Sequence, residues 1–194
     1  MTITWAKRLL PVLALALAAC QPSAPKFKST DITGADYGKS LQLTGHDGKP
    51  RSLADFAGKV VVVTFGFTHC PDVCPTILAD LGGVLKKLGP DADRVQVLFI
   101  TVDPERDTAD GLAKYVTAFD PRFIGLRGDV EATQRTAKDF KVFFEKRKTG
   151  DTYTLDHSAQ SYVFDSKGRL RLFVRHDRIS ADLADDLRTL LKEG

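Results

Sequence analysis

Two residues able to do chemistry stand close together: Cys70 and Cys74, in the run Gly66-Phe67-Thr68-His69-Cys70-Pro71-Asp72-Val73-Cys74-Pro75. Thiolates attack disulfides and bind soft metals, so such a pair is a structural staple, a redox couple or a metal clamp. Spacing helps to separate these. Cys-X-X-Cys redox motifs keep two residues between the sulfurs, whereas this run keeps Pro71, Asp72 and Val73. On a helical turn, positions i and i+4 share a face with Cβ atoms about 5–6 Å apart, wide against the ~3.8 Å of an unstrained disulfide. Two sulfurs that share a metal at about 2.3 Å each can lie further apart than two bonded sulfurs. The extra residue favours a clamp and still permits a strained, reducible disulfide.

Two thiolates suit Cu(I) or Zn(II), and one imidazole would complete a three-coordinate site attractive to copper in either oxidation state. Four histidines are available. His46 lies in an Asp-Gly turn and reads as a solvated loop residue; His176, beside Asp177-Arg178, reads as surface. His69 adjoins Cys70, and neighbouring residues seldom aim at one metal, so it reads as support for the site rather than a ligand. His157, in Thr154-Leu155-Asp156-His157-Ser158, is either a ligand or a solvent-facing loop residue. Spacing alone leaves both open.

These residues need a frame. Val60 to Phe65 is a β-branched run without polar alternation, as expected of a strand covered on both faces, and Val95 to Val102 is a second. Between them Ile77, Leu81, Val84, Leu85 and Leu88 recur at helical spacing, with Gly82-Gly83 inside and Gly89-Pro90 as the stop. Leu112, Tyr115, Val116 and Phe119 mark a second helix. Val130, Thr133, Ala137 and Phe140 mark a third, opened by an Asp129 cap. Ser161 to Phe164 and Leu170 to Val174 flank Asp165-Ser166-Lys167-Gly168, a hairpin signal. A last helix carries Leu183, Leu187, Leu190 and Leu191, with Ser180 as its expected cap. Leu41 to Leu53, folded about Gly45-His46-Asp47-Gly48, adds an N-terminal hairpin.

Strand, helix, strand, helix, helix, hairpin, helix predicts an α/β fold of thioredoxin type, a central mixed sheet with helices on both faces. The cysteine run falls between the first core strand and its helix, where open α/β sheets place ligands. Amide groups at a helix N-terminus stabilise thiolate over thiol there.

The N-terminus reads as a targeting segment. Lys7 and Arg8 precede an uncharged run, Leu9 to Ala19, too short for the roughly 20 residues of a membrane span. It closes as Leu17-Ala18-Ala19-Cys20, a bacterial lipobox in pattern, with Cys20 as the lipidated residue. We therefore read 1–19 as a lipoprotein signal peptide, 20–30 as a lipid-anchored linker and 31–194 as one domain. Removing 1–19 leaves 26 basic against 25 acidic residues, which gives no basic stripe and no sign of a nucleic-acid partner. The protein is expected to be exported, anchored in a membrane and facing the periplasm or the outside of the cytoplasmic membrane.

The cysteine run, then Thr101-Val102-Asp103-Pro104-Glu105-Arg106-Asp107-Thr108, then Asp156-His157-Ser158, together resemble the Sco/SenC family. Its members are membrane-tethered, thioredoxin-fold, copper-binding proteins that assist assembly of the binuclear copper centre of cytochrome c oxidase. The resemblance covers residues 31–192. It implies Cys70 and Cys74 as thiolate ligands and His157 as imidazole ligand of one copper per chain, as Cu(I) and/or Cu(II). The implied partner is the copper-accepting oxidase subunit, or another periplasmic copper or thiol protein, met by a monomer. Many members are held by an uncleaved transmembrane helix, where this chain has the lipobox.

Asp103-Pro104 reads as a turn shaping the site, and Asp72 as at most a weak outer ligand. Phe143 to Lys148 carries a basic tip, read as a solvated hairpin end rather than a docking site for an acidic face. The competing function is a thiol–disulfide oxidoreductase or redox sensor in which Cys70 and Cys74 attack and resolve. Peroxide reduction fits less well, since the second cysteine four residues on is not the usual arrangement of such enzymes.

Overall fold

The computed structural model describes residues 26–194. The signal segment, Cys20 and the start of the linker lie outside the described residues. Strand β1 (Thr30–Asp31) precedes the hairpin of β2 (Gln42–Gly45) and β3 (Pro50–Ser52), and β4 (Val60–Gly66) leads through the cysteine run into α1 (Val73–Leu88). There follow β5 (Val95–Thr101), α2 (Ala109–Thr117), β6 (Ile124–Arg127) and α3 (Val130–Asp139). Strands β7 (Phe144–Thr149), β8 (Thr152–His157), β9 (Ser161–Phe164) and β10 (Leu170–Val174) come next, and α4 (Ile179–Glu193) closes the chain.

The main sheet runs β1-β10-β9-β4-β5-β6-β2-β3, with β4, β5 and β6 parallel and the flanking strands antiparallel. Every residue of β4 and β5 is buried, which is what a β-branched run without alternation requires. Helix α1 packs against α4, and its Gly82 stands close to the turn after α2: a Cβ there would lie 3.2 Å from the Phe119 carbonyl oxygen. Asp129 caps α3 as expected, its side chain accepting from the Ala132 amide 2.7 Å away.

Several elements differ from expectation. Strand β6 is a third parallel strand, only four residues long, that the hydrophobic pattern did not reveal. The expected cap Ser180 lies inside α4, which starts at Ile179 after a short 3-10 turn. The ordered domain also begins before residue 31. Phe27 packs on the core, the Lys28 and Ser29 amides donate to buried Asp186 at 2.7 and 2.9 Å, and β1 pairs with β10. The last part of the segment read as linker is thus held to α4.

A fourth difference concerns the site. Strands β7 and β8 form their own two-stranded sheet, with no backbone pairing to the main one. His157 ends β8, opposite Phe144 of β7. His157 is thus placed by this hairpin and by the short link, Ser158 to Gln160, to β9, whose Ser161 pairs with Thr64 of β4. Among the described residues, no helix is long and apolar enough to cross a membrane.

Candidate metal centre

Strand β4 ends on Gly66, and the chain then turns, the Cys70 amide donating to the Phe67 carbonyl at 3.2 Å. Helix α1 starts only at Val73, so Cys70 precedes the helix and Cys74 lies in its first turn. The i, i+4 helical face expected from spacing does not apply. What brings the pair together is the helix end, where the Cys74 amide donates to the Cys70 sulfur at 3.4 Å. Cys74 is 1% exposed, its sulfur lying over the end of β4: a Cβ on Gly66 would stand 2.8 Å from it. Only a glycine leaves that room. Cys70 is half-buried and reachable, and both thiols are free.

From the hairpin, His157 extends to this pair, its Nε2 3.2 Å from the Cys74 sulfur. Its Nδ1 is 2.9 Å from the Ser158 carbonyl oxygen, which can only accept, so Nδ1 carries the proton. In the neutral ring Nε2 then presents a lone pair to the sulfurs, the orientation in which imidazole binds a metal. Phe67, 1% exposed, stands edge-on to the imidazole with ring centroids 5.8 Å apart and fixes its plane.

Donor atoms of Cys70, Cys74 and His157 all lie within 4.8 Å of one another. Bonds of about 2.3 Å to sulfur and 2.0 Å to nitrogen put the donors of a regular three-coordinate ion about 3.7–4.0 Å apart. Shifts of a fraction of an ångström would bring these three to that separation. The donor set, two thiolates and an imidazole, is of the kind that suits copper.

Electrostatics divides the cysteines. A hydrogen bond from the Cys74 thiol, with help from the Asp72 and Cys74 amides, outweighs burial and lowers the Cys70 pKa from 9.0 to about 4. As the donor in that bond, and buried, Cys74 is pushed up. The metal-free site holds one accessible thiolate and one buried thiol.

The remaining candidates fall elsewhere. His69 is exposed, with Nδ1 3.1 Å from Thr68 Oγ1 and 3.6 Å from Asp107, and it does not join the donor cluster. His46 is half-buried rather than free: its Nδ1 accepts from the Gly125 amide at 3.0 Å, joining the first hairpin to β6. His176 lies in an exposed turn after β10. Asp72 is exposed, its carbonyl accepting from Thr76. Asp103 forms the expected turn, its carbonyl accepting from the Arg106 and Asp107 amides, and its side chain is 0% exposed. In the basic tip, Lys146 pairs with Glu105 and Arg147 with Asp156.

Sequence reasoning assigned no task to Asp107. Its buried carboxylate accepts from the Thr68 amide at 3.0 Å, the Thr68 hydroxyl at 2.6 Å and the Thr101 hydroxyl at 2.5 Å. It ties the cysteine loop to the end of β5. Its place in the Thr101–Thr108 run that carries the family resemblance is the signal the sequence gives of this.

A family model described as SCO1/SenC matches residues 29–192. The chain belongs to the SCO1/SenC family. It is 38% identical over 152 residues to the mouse mitochondrial protein SCO2 homolog, covering 76% of this chain and 60% of that protein. The chain thus spans less than two thirds of that relative's length. Among solved structures, copper-bound ScoI of Bradyrhizobium japonicum is 40% identical with a TM-score of 0.72, covering 78% of this chain and 97% of that one. Apo Sco1 of Thermus thermophilus is also 40% identical, with a TM-score of 0.76 over 86% of this chain and 98% of that one. The thioredoxin-like mixed sheet read from the element order is the fold of these SCO1/SenC proteins.

Proposed function

We propose that this SCO1/SenC protein is a copper metallochaperone whose cargo is held by the Cys70 and Cys74 thiolates and the His157 imidazole. The convergence of these three donor atoms within 4.8 Å carries the reading. The copper-bound state of a 40% identical family member supports it. Binding would release the Cys74 proton, because a metal ligates the thiolate. Cys70 and His157 are half-buried, so an acceptor's thiolate can join the ion before a ligand leaves. The acceptor is the copper-receiving subunit of cytochrome c oxidase, or another periplasmic copper or thiol protein, and the chaperone meets it as a monomer anchored by lipid on Cys20 after removal of residues 1–19.

The test is an anaerobic Cu(I) titration of the purified protein against a competing chelator. Wild type binds one equivalent, and Cys70→Ser, Cys74→Ser and His157→Ala each bind weakly. Wild-type affinity in His157→Ala removes the three-donor site.

One observation favours a second activity on the same thiols. With Cys70 as the accessible thiolate and Cys74 as the buried thiol, the pair is ordered for disulfide exchange. Cys70 attacks a partner disulfide and releases one partner thiolate, which takes up a proton. Cys74, deprotonated, then attacks the Cys70 sulfur of the mixed disulfide. The products are a Cys70–Cys74 disulfide and a reduced partner. His157→Ala separates the activities: copper binding falls while exchange persists.

A further inference from the structure

The hairpin that carries His157 shares no backbone pairing with the sheet that carries the cysteines. Its C-terminal end is held near the cysteines by the short link to β9, whose Ser161 pairs with Thr64 of β4, and by the burial of Leu155 in the core; side-chain contacts must orient the rest. The polar side-chain contacts that do so converge on one loop, Asp103 to Asp107. The phenol of Tyr153, on β8, donates to Asp103 Oδ1 at 2.7 Å, and Arg106 Nε donates to Oδ2 of the same carboxylate at 2.5 Å. Arg106 also donates from Nη1 to the Tyr153 carbonyl at 2.9 Å, and its guanidinium lies 3.7 Å from the centre of the Tyr153 ring. Glu105 pairs with Lys146 on β7, whose ammonium faces the same ring at 4.7 Å.

At its other end the loop holds the cysteine side through Asp107 and Thr68. Arg127 of β6 fastens the loop from below, donating to the Asp107 and Pro104 carbonyls at 3.1 Å each. One short loop thus grips both halves of the site, and each half by a buried carboxylate.

We propose that Asp103, Arg106 and Tyr153 form a latch that positions His157 over the two sulfurs, so that the latch sets copper affinity through His157 alone. This rests on the copper-binding reading and deepens it. None of the three residues touches the donor atoms; they are positioning residues. Partners bonded directly to a metal-binding histidine typically change affinity 10–100-fold when removed, and a latch one step further out should sit at the low end of that range.

Tyr153→Phe deletes one hydroxyl and keeps the ring under Arg106. It should lower Cu(I) affinity on the order of tenfold. In a His157→Ala background the same substitution should change nothing further, because its effect has no other route to the metal. Asp103→Asn should behave in the same way, and the apo-protein melting temperature identifies either variant that fails to fold. Two outcomes overturn the latch: wild-type affinity in Tyr153→Phe, or a loss that persists in the His157→Ala background. A merely structural role gives the latter.

The apo-protein supplies an independent readout in the proton–proton NMR contact between the Phe67 and His157 rings. That contact should weaken in Tyr153→Phe while contacts within the β4–β5 sheet stay, and an unchanged contact sinks the latch. Failure of the wild type to bind Cu(I) overturns the chaperone reading instead, and the ring contact still tests the latch.

Discussion

Cys70 and Cys74 are chemically unlike although they serve one site. The lowering of Cys70 to about 4 stems first from the hydrogen bond Cys74 gives it. In an unfolded chain both thiols ionise near 8.5, so the unfolded state holds more protons than the folded one between about pH 4 and 8.5. For a depressed group the stabilisation is fully present above the unfolded pKa and is lost as pH falls through the folded one. The reduced, metal-free protein should therefore lose stability on acidification through this window, read as a falling urea midpoint. Alkylation by iodoacetamide should report the same asymmetry: Cys70 reacts down to about pH 4, and Cys74 is slow throughout. In Cys74→Ala the donor is gone, and the alkylation midpoint of Cys70 should rise toward 8.5. A midpoint unmoved by that substitution would mean that the helix end alone holds the thiolate.

The elements decide whether these residues can meet, and the sequence disclosed them unevenly. Val60–Gly66 and Val95–Thr101 were legible because a strand buried on both faces has to be apolar throughout. The cysteine run was legible as a site because strand, motif and helix stand in order along the chain. Strand β6 was not, since Ile124 to Arg127 is too short for periodicity and offers Gly125 at its second position. The β7–β8 pair was read only as a basic tip: β7 is charged and mostly exposed, and the pair's side-chain contacts are with a loop more than 40 residues earlier. Asp103, Glu105 and Arg106 were visible as a motif, but their tasks depend on Tyr153 and Lys146, far off in sequence.

Gly66 shows how an element end sets the site. Adding a methyl group there would stand 2.8 Å from both the Cys74 sulfur and the Phe99 ring, so sulfur or strand has to shift. Gly66→Ala should cost about 1–3 kcal/mol of stability through overpacking and should weaken Cu(I) binding as well. A Gly83→Ala control, where nothing lies within 4 Å, should do neither. Wild-type copper affinity in Gly66→Ala would show that Cys74 tolerates the shift.

At the scale of the molecule, the chain's entry and the Cys70–Cys74–His157 cluster occupy separate parts of the sheet. The chain enters at β1, the edge strand beyond β10 and β9, whereas the site lies past the end of β4. Asp186 fixes the entry: 1% exposed, it accepts from the Lys28 and Ser29 amides, while Lys28 also pairs with Asp185. Arg171, buried between Asp165 and Glu193, closes over Phe27 from the neighbouring strand. In the lipid-anchored chaperone proposed above, pull on the N-terminal segment would be met by α4 and β10 rather than by the loop that aligns His157. Asp186→Ala should cost on the order of 2 kcal/mol, the loss of hydrogen bonds to a buried charge, and should open the peptide around residues 26–31 to limited proteolysis. Copper affinity should not change, because no contact of Asp186 reaches the hairpin, the cysteine loop or the latch. If Cu(I) binding weakens in step with release of the tether, the two ends of the sheet are coupled, and the anchor bears on the cargo site.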